Sequence, residues 1–277
     1  MKEGVNMDYL SRESAPLSEK LWEQIDAAVV KAASRVLTGR RFLSLFGPLG
    51  IGVDHIAVDD GNNLAEVDTD GLITMQGRKF LEIPVIHEDF ILYARNLEAA
   101  LKSGFPFDVS RAAAAAEACA IKEDRLIYFG NDKLGYDGLF TAPGINRIER
   151  KDWSVGENAF ADIAAAVELL TEKGIYEPYA LAVSPDLYMQ MQRLQPSTGL
   201  LEIDRVRKLL NGNVFKSQAL GREKAVLVGC DERNVDLVVG QDMATAYVEQ
   251  TELNHRLRVL ESVLPRIKRS QAIVVFE

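Results

Sequence analysis

The sequence predicts an α+β fold, and three patterns carry that prediction. Apolar residues at helical spacing run over 18–38. A polar, turn-rich stretch of short β-like pieces covers 53–78. Over 142–240, helices alternate with short apolar strands, which marks an α/β subdomain.

The patterned chain begins near Met7; the six residues before it read as an appendix, with Met7 as an alternative start. Pro16 precedes Ser18, a good N-cap, and Glu19 suits a first helical turn. Leu21, Ile25, Val29, Ala32 and Val36 follow at helical spacing, and Gly39 with Arg40 and Arg41 marks the stop. The predicted helix is 18–38. GPLGIG at 47–52 is a loop. DDGNN and TDG then mark turns within 53–78, which reads as a long, projecting hairpin. A two-stranded hairpin with so few apolar side chains is marginal in water. It needs a partner surface, on its own body or on another chain. KFLEIPVIH at 79–87 returns as a strand.

DFILYARNLEAALKSG reads as a strand end and a short helix that stops near Gly104. Asp108 or Ser110 caps the next helix, and Gly130 ends it. Its alanines, Ala112–Ala116 and Ala118, have high helix propensity and slim side chains. Such a helix can lie close against neighbouring backbone, as a central spine. Phe160, Ile163, Val167 and Leu170 define another helix, closed by Gly174. YALAV at 179–183 is a buried strand, and Ser184 with Pro185 opens a further helix. Leu200 to Leu210 is one more, with Asn211 and Gly212 after it. AVLVG at 225–229 and DLVVG at 236–240 are short apolar strands. The end of the chain is mostly strand and apolar, so it is tied down.

The 277 residues are 47% hydrophobic and 26% charged, ordinary values for a folded soluble protein. With 32 basic and 41 acidic residues the formal net charge is -9, and a general nucleic-acid binder shows a basic balance or a basic arm instead. The first twenty residues mix Lys2, Arg12 and Lys20 with Glu3, Asp8, Glu13 and Glu19, which suits a phosphate backbone poorly. No stretch approaches the roughly 18 to 20 unbroken apolar residues of a membrane helix, and the opening lacks a signal-peptide core. Cys119 and Cys230 lie far apart and form no metal-type pair. The expectation is a reduced, cytoplasmic, globular protein without a structural disulfide.

Chemistry-bearing clusters are sparse. His87, Glu88 and Asp89 are adjacent, but strand neighbours point to opposite faces, so they read as solvated charges at a strand end. His55, His87 and His255 have no zinc-type spacing. GPLGIG has neither the dinucleotide nor the phosphate-loop order and is read as a tight turn at the root of the hairpin. There is no G-x-S-x-G elbow. Cys119 reads as a small buried hydrophobe, while Cys230 follows a strand at a position open to exposure. No catalytic, cofactor-binding or metal residue is named, and the residues alone give an α/β subunit with a partner-seeking arm.

A run of segments nevertheless forms a specific pattern. APLSEKLWEQID and TGRRFLSLFGPLG resemble the opening of encapsulin shell proteins of the linocin bacteriocin family. The likeness continues through IHEDFILYARNLEAA, EDRLIYFG, GYDGL, PYALAVSPDLY, LEIDRVRKLL, GQDMATAYVE, NHRLRVLES and LPRIKRSQAI. It spans essentially the whole chain from about Met7.

The resemblance implies the HK97-like major-capsid fold of tailed phages. Residues 1–52 are then the N-terminal arm and helix of a peripheral domain, and 53–80 an extended loop that reaches a neighbour. The peripheral domain with its spine helix continues over 81–141, the axial domain covers 142–240, and 241–277 returns to the peripheral domain. Identical copies close into an icosahedral nanocompartment that encloses a cargo enzyme, ferritin-like for iron storage or a peroxidase. The cargo's C-terminal targeting peptide docks in an apolar groove on the inner wall. Ile25, Val29, Val36, Leu37, Phe42 and Tyr247 are the wall residues this implies, with Arg40 and Glu249 as polar fasteners. The competing reading of the apolar ones is core. Gln195, Pro196, Ser197 and Thr198 fall in the loop that lines the fivefold pore, where uncharged residues give weak ion selectivity. Some members bind flavin at an aromatic residue before NLEAA; Leu92 takes that place beside Tyr93, so no cofactor is expected. The shell is not expected to be an enzyme or to meet a membrane. The alternative is a prophage capsid protein that packages DNA, which the acidic balance disfavours.

Overall fold

The structure, a computed structural model, describes residues 9–58, 64–103, 107–195 and 199–277. Ser18 caps α1 (Glu19–Val36), its hydroxyl accepting the Leu21 N–H at 3.3 Å. The helix buries Trp22, Ile25, Val29, Ala32 and Ala33 and gives way to a 3-10 turn at Gly39–Arg41. β1 (Ser44–Phe46) follows, and then the glycine loop. Gly47 has φ 131°, and a Cβ there would overlap the Val239 carbonyl oxygen, so the chain can cross this point only as glycine.

The hairpin comes in two pieces. β2 (His55–Ala57) pairs antiparallel with β5 (Phe80–Glu82), and β3 (Ala65–Thr69) with β4 (Leu72–Gln76). Asp70 and Gly71, both at positive φ, make the tight connection between β3 and β4. Leu72 and Ile73 remain 76% and 66% exposed, so this hairpin buries little on its own body.

The strand expected over 79–87 is split by Pro84, which cannot donate to a sheet ladder. β6 (Val85–Leu92) therefore starts afresh and runs on to Leu92. His87, Glu88 and Asp89 lie mid-strand rather than at its end. α2 (Ala94–Ser103) leads to the spine, α3 (Ser110–Phe129), where the Asp108 carboxylate accepts the Ser110 N–H at 2.9 Å. Then come β7 (Asn146–Ile148), α4 (Asn158–Glu172), β8 (Tyr179–Val183), α5 (Pro185–Gln190) and α6 (Glu202–Leu209). The chain ends with β9 (Val214–Lys216), β10 (Ala225–Gly229), β11 (Val235–Thr251), β12 (Asn254–Ile267) and β13 (Ile273–Phe276).

Two sheets organise these elements. One has the order β1-β11-β12-β6, the other β7-β13-β10-β8-β9. α1 packs on α3, and α3 on β6 and β12, around a core of Ile25, Val29, Ala112, Ala116, Cys119 and Val259. α4 and α6 cover the five-stranded sheet around Ile163, Leu181, Val206 and Phe276. A further core, with Ile127, Leu139, Val226 and Leu237, joins spine and strands of both sheets.

Three expectations change here. Residues 236–240 are not a strand of the 142–240 unit but the start of β11, between β1 and β12. The last strand does not stay with β12: all four of its residues are buried, and it pairs with β10 and β7 in the five-stranded sheet. A strand apolar on both faces is at home only inside a sheet covered on both sides. Cys230 is buried, and burial pushes its thiol up to about 12. Cys119, buried as expected, is likewise pushed up to about 12 by burial.

Candidate functional site

The residues expected to wall a groove do not form one open surface. α1 turns Ile25 and Val29 into the core at 0% and 2% exposure, and Leu37 is also buried. The helical period that singles these positions out is the period of its packing on α3. Only Val36 and Tyr247 of the set reach solvent on this cluster, together with Met243, which the sequence did not single out. Phe42 belongs elsewhere: its ring packs 5.6 Å from Phe215, in the core that joins the two sheets.

Residues 9–15 pass beside this area. The Tyr247 N–H donates to the Leu10 carbonyl at 2.9 Å, and the Arg12 Nε–H to the Thr245 carbonyl at 2.8 Å. Arg12 also holds Asp26 of α1 through both terminal guanidinium nitrogens and lies 4.7 Å over the Trp22 ring. This part of β11's edge is thus paired with the chain's own N-terminal segment.

The two expected fasteners part company. Glu249 is exposed and accepts from Arg256 at 3.2 Å. Arg40 turns inward and meets Glu123, Glu261 and Asp242 at 2.7, 2.8 and 2.6 Å. Burial works against its charge, but the hydrogen bonds and charge of Glu123, with the charge of Glu261, outweigh that and raise its pKa. Next to it, Asp124 accepts the N–H groups of Thr38 and Gly39. Burial pushes Asp124 up to about 6 despite those hydrogen bonds. Sequence reasoning missed this acidic junction. Its signal was present: Ala116, Ala120, Glu123 and Ile127 share one helical face, so an acid stands in a buried stripe.

On the other side of the same sheet, Asp89 accepts from both Arg256 and Arg258. The Arg258 hydrogen bond, against burial and helped by Arg256, lowers Asp89 to about 2. Glu88 pairs with Lys122 at 2.6 Å. Leu92 is buried, and beside it Arg111 lies 4.7 Å over the Tyr93 ring.

Of the expected pore residues, Pro196, Ser197 and Thr198 lie outside the described residues. Gln195 is 4% exposed and donates from Nε2 to the Gly156 carbonyl at 2.9 Å, so its amide is spent on holding the loop. Leu194 and Leu200 beside it are exposed. Among the described residues no group of three or more His, Cys, Asp or Glu is placed to hold a metal, and no helix is long and apolar enough to cross a membrane.

The family model described as "Encapsulating protein for peroxidase" (Linocin_M18) matches residues 7–264. This chain belongs to that family, the encapsulin shell proteins. It is 40% identical to the type 1 encapsulin shell protein EncA of Myxococcus xanthus, over 98% of this chain and 96% of that one. It is 37% identical to a diheme-cytochrome-encapsulin shell fusion protein of Kuenenia stuttgartiensis, over 94% of this chain and 74% of the fusion. Among solved structures, the virus-like particle of Pyrococcus furiosus superposes with a TM-score of 0.75 at 20% identity, covering 93% of this chain and 100% of that one. The capsid of Myoviridae phage XM1 superposes with a TM-score of 0.61 at 14% identity, covering 86% and 90%. At that identity the likeness shows the fold alone, the α+β fold of HK97-like capsids. Shell proteins of this family are structural. The encapsulin reading is favoured over the prophage one, because the relatives that share sequence are encapsulin shell proteins.

Proposed function

We propose that copies of this chain close into an icosahedral compartment, in the cytoplasm, around a cargo enzyme. The observation that carries this reading is the β3–β4 hairpin, which leaves Leu72 and Ile73 mostly in water. Apolar side chains on a two-stranded ribbon are stabilised by a covering surface, and an identical neighbour supplies one. The paired strands of residues 53–80 act as the extended loop, the spine and four-stranded sheet as the peripheral domain, and the five-stranded sheet as the body of the axial domain. Leu194 and Leu200, exposed beside Gln195, face the axial opening.

The cargo docks by a short peptide on the inner wall beside α1. Val36 and Tyr247 contact it, and Ile25, Val29 and Leu37 serve as the buried floor beneath. The family's description supports a peroxidase, and a ferritin-like iron-storage protein is the second cargo class. Deleting 53–78 tests the assembly reading: the variant is expected to lose closed particles on negative-stain micrographs, and intact shells from it would overturn the role of the loop. Intact particles of the full chain with a protein-like absorbance ratio, unchanged by nuclease, are expected; a nucleic-acid ratio that survives nuclease treatment of intact particles favours DNA packaging.

A further inference from the structure

Three carboxyl groups converge on one guanidinium where the N-terminal helix meets the spine. Glu123 and Glu261 are both 0% exposed. Arg40 Nη2 donates to Glu123 Oε2 at 2.7 Å and to Glu261 Oε2 at 2.8 Å, while its Nε donates to both Glu123 oxygens at 2.9 Å. Its Nη1 donates to Asp242, which is largely solvated. One positive charge is thus shared between two buried carboxyl groups. Glu261 Oε1, also buried, accepts from no N–H or O–H donor, so its one possible hydrogen bond, to the neighbouring Glu123 carboxyl, requires a proton between the two.

An unpaired carboxylate oxygen in the interior is costly, and so is the surplus negative charge. A single proton on Oε1 removes both costs: it cancels the surplus and turns the orphan acceptor into a donor toward Glu123. Carboxyl pairs that share a site behave in this way. The charged and titratable groups facing Glu261 are Arg40 from the turn, Glu123 and Cys119 from α3, and Asp242 from β11. β6 presents Ile86 opposite it. Burial, then the charge of Glu123 and a hydrogen bond with it, hold Glu261 well above the ordinary carboxyl range, outweighing Arg40.

We propose that one proton, held on Oε1 of Glu261 and shared with Glu123, latches the end of the N-terminal helix to the spine and the sheet, and that its loss loosens that end. Four segments meet at this proton: the turn after α1, α3, β11 and β12. The folded chain holds it more tightly than the unfolded chain does. The latch is therefore fully present below the unfolded value of 4.5 and is lost as pH rises through the folded value. The direction is alkaline loosening.

The test uses the full chain as purified, beside Glu261→Gln, which keeps the shape and an N–H donor but cannot ionise. At about pH 7.5 the wild-type infrared spectrum is expected to keep the C=O band of a protonated carboxyl, and the variant to lack it. Hydrogen exchange of residues 34–43 is the second readout. Above the unfolded value of 4.5 the wild-type opening equilibrium, relative to the variant at the same pH, is expected to rise by up to about tenfold per pH unit until the folded group ionises. A wild-type spectrum without that band at about pH 7.5, or exchange ratios that stay flat with pH, overturns the proposal. If the variant does not fold, the wild-type infrared titration decides alone: a band already lost by about pH 5 contradicts the latch, and one that persists past neutrality supports it.

Discussion

Asp124 accepts the backbone N–H of Thr38 at 3.0 Å, so a buried acid of the spine ties down the turn that ends the first helix. The same carboxylate takes the Gly39 N–H at 2.9 Å. These N–H groups open the 3-10 turn Gly39–Arg41, where N-terminal donors lack intrahelical partners, and here a residue 86 positions away from Thr38 supplies the acceptor.

Asp124→Ala strands two buried N–H groups. Each costs about 1–3 kcal/mol, so the expected loss is roughly 2–6 kcal/mol in denaturant unfolding. Because burial raises Asp124 from 3.8 to about 6, its contribution falls as pH rises through that window. The loss is therefore expected to be larger near pH 4 than near pH 7. An equal loss at both would contradict the burial argument.

Gly39 sits against the spine so closely that a Cβ would overlap the Cδ1 of Ile127. Gly39→Ala is expected to destabilise by about 1–3 kcal/mol through overpacking. Ile127→Val alone costs about 0.5–1.5 kcal/mol, but in the double variant it makes room. A thermal-shift cycle is expected to show the double variant well above the sum of the two single losses.

Asp89 works on the acid side. Its lowered value, about 2, means that its stabilisation is present above the unfolded value of 3.8 and is lost as pH falls through the folded one. Partly exposed pairs are worth about 1 kcal/mol or less, so Asp89→Asn is expected to flatten acid unfolding slightly between about pH 4 and 2. A steeper acid limb in the variant would contradict the pairing with Arg256 and Arg258.

Ile25→Asp and Val29→Asp report on folding rather than on docking, because both side chains are core. Either is expected to prevent soluble expression, since an unpaired buried charge costs several kcal/mol. Val36→Asp and Tyr247→Ala reach solvent and are expected to leave particles intact while cargo co-purification falls several-fold. Unchanged loading in both would move the docking surface away from α1.

Local chemistry made much of the fold legible. Ser18 and the Leu21–Val36 period set α1 within a residue or two, because cap and stripe lie in adjacent sequence. Ser184 with Pro185, and Gly130 and Gly174, marked ends for the same reason. Long-range partners decided the rest. DLVVG reads as a complete short strand, yet it opens the 17-residue β11 because β1 and β12 flank it. IVVF gives no hint of which sheet it joins. At the site, the period that found Ile25 and Val29 could not tell a groove from a core, since both demand the same apolar stripe. Arg40 in a basic pair looks solvated until Glu123 and Glu261, distant in sequence, are brought beneath it.

One copy leaves adhesive surface, Leu72 and Ile73 above all, which identical copies cover. Sedimentation velocity of the purified full chain, with negative-stain images of the same sample, tests it most directly. A single fast-sedimenting species of closed, hollow particles is expected, dispersed by Leu72→Asp with Ile73→Asp. A stable species of subunit mass at high concentration in mild buffer would contradict it.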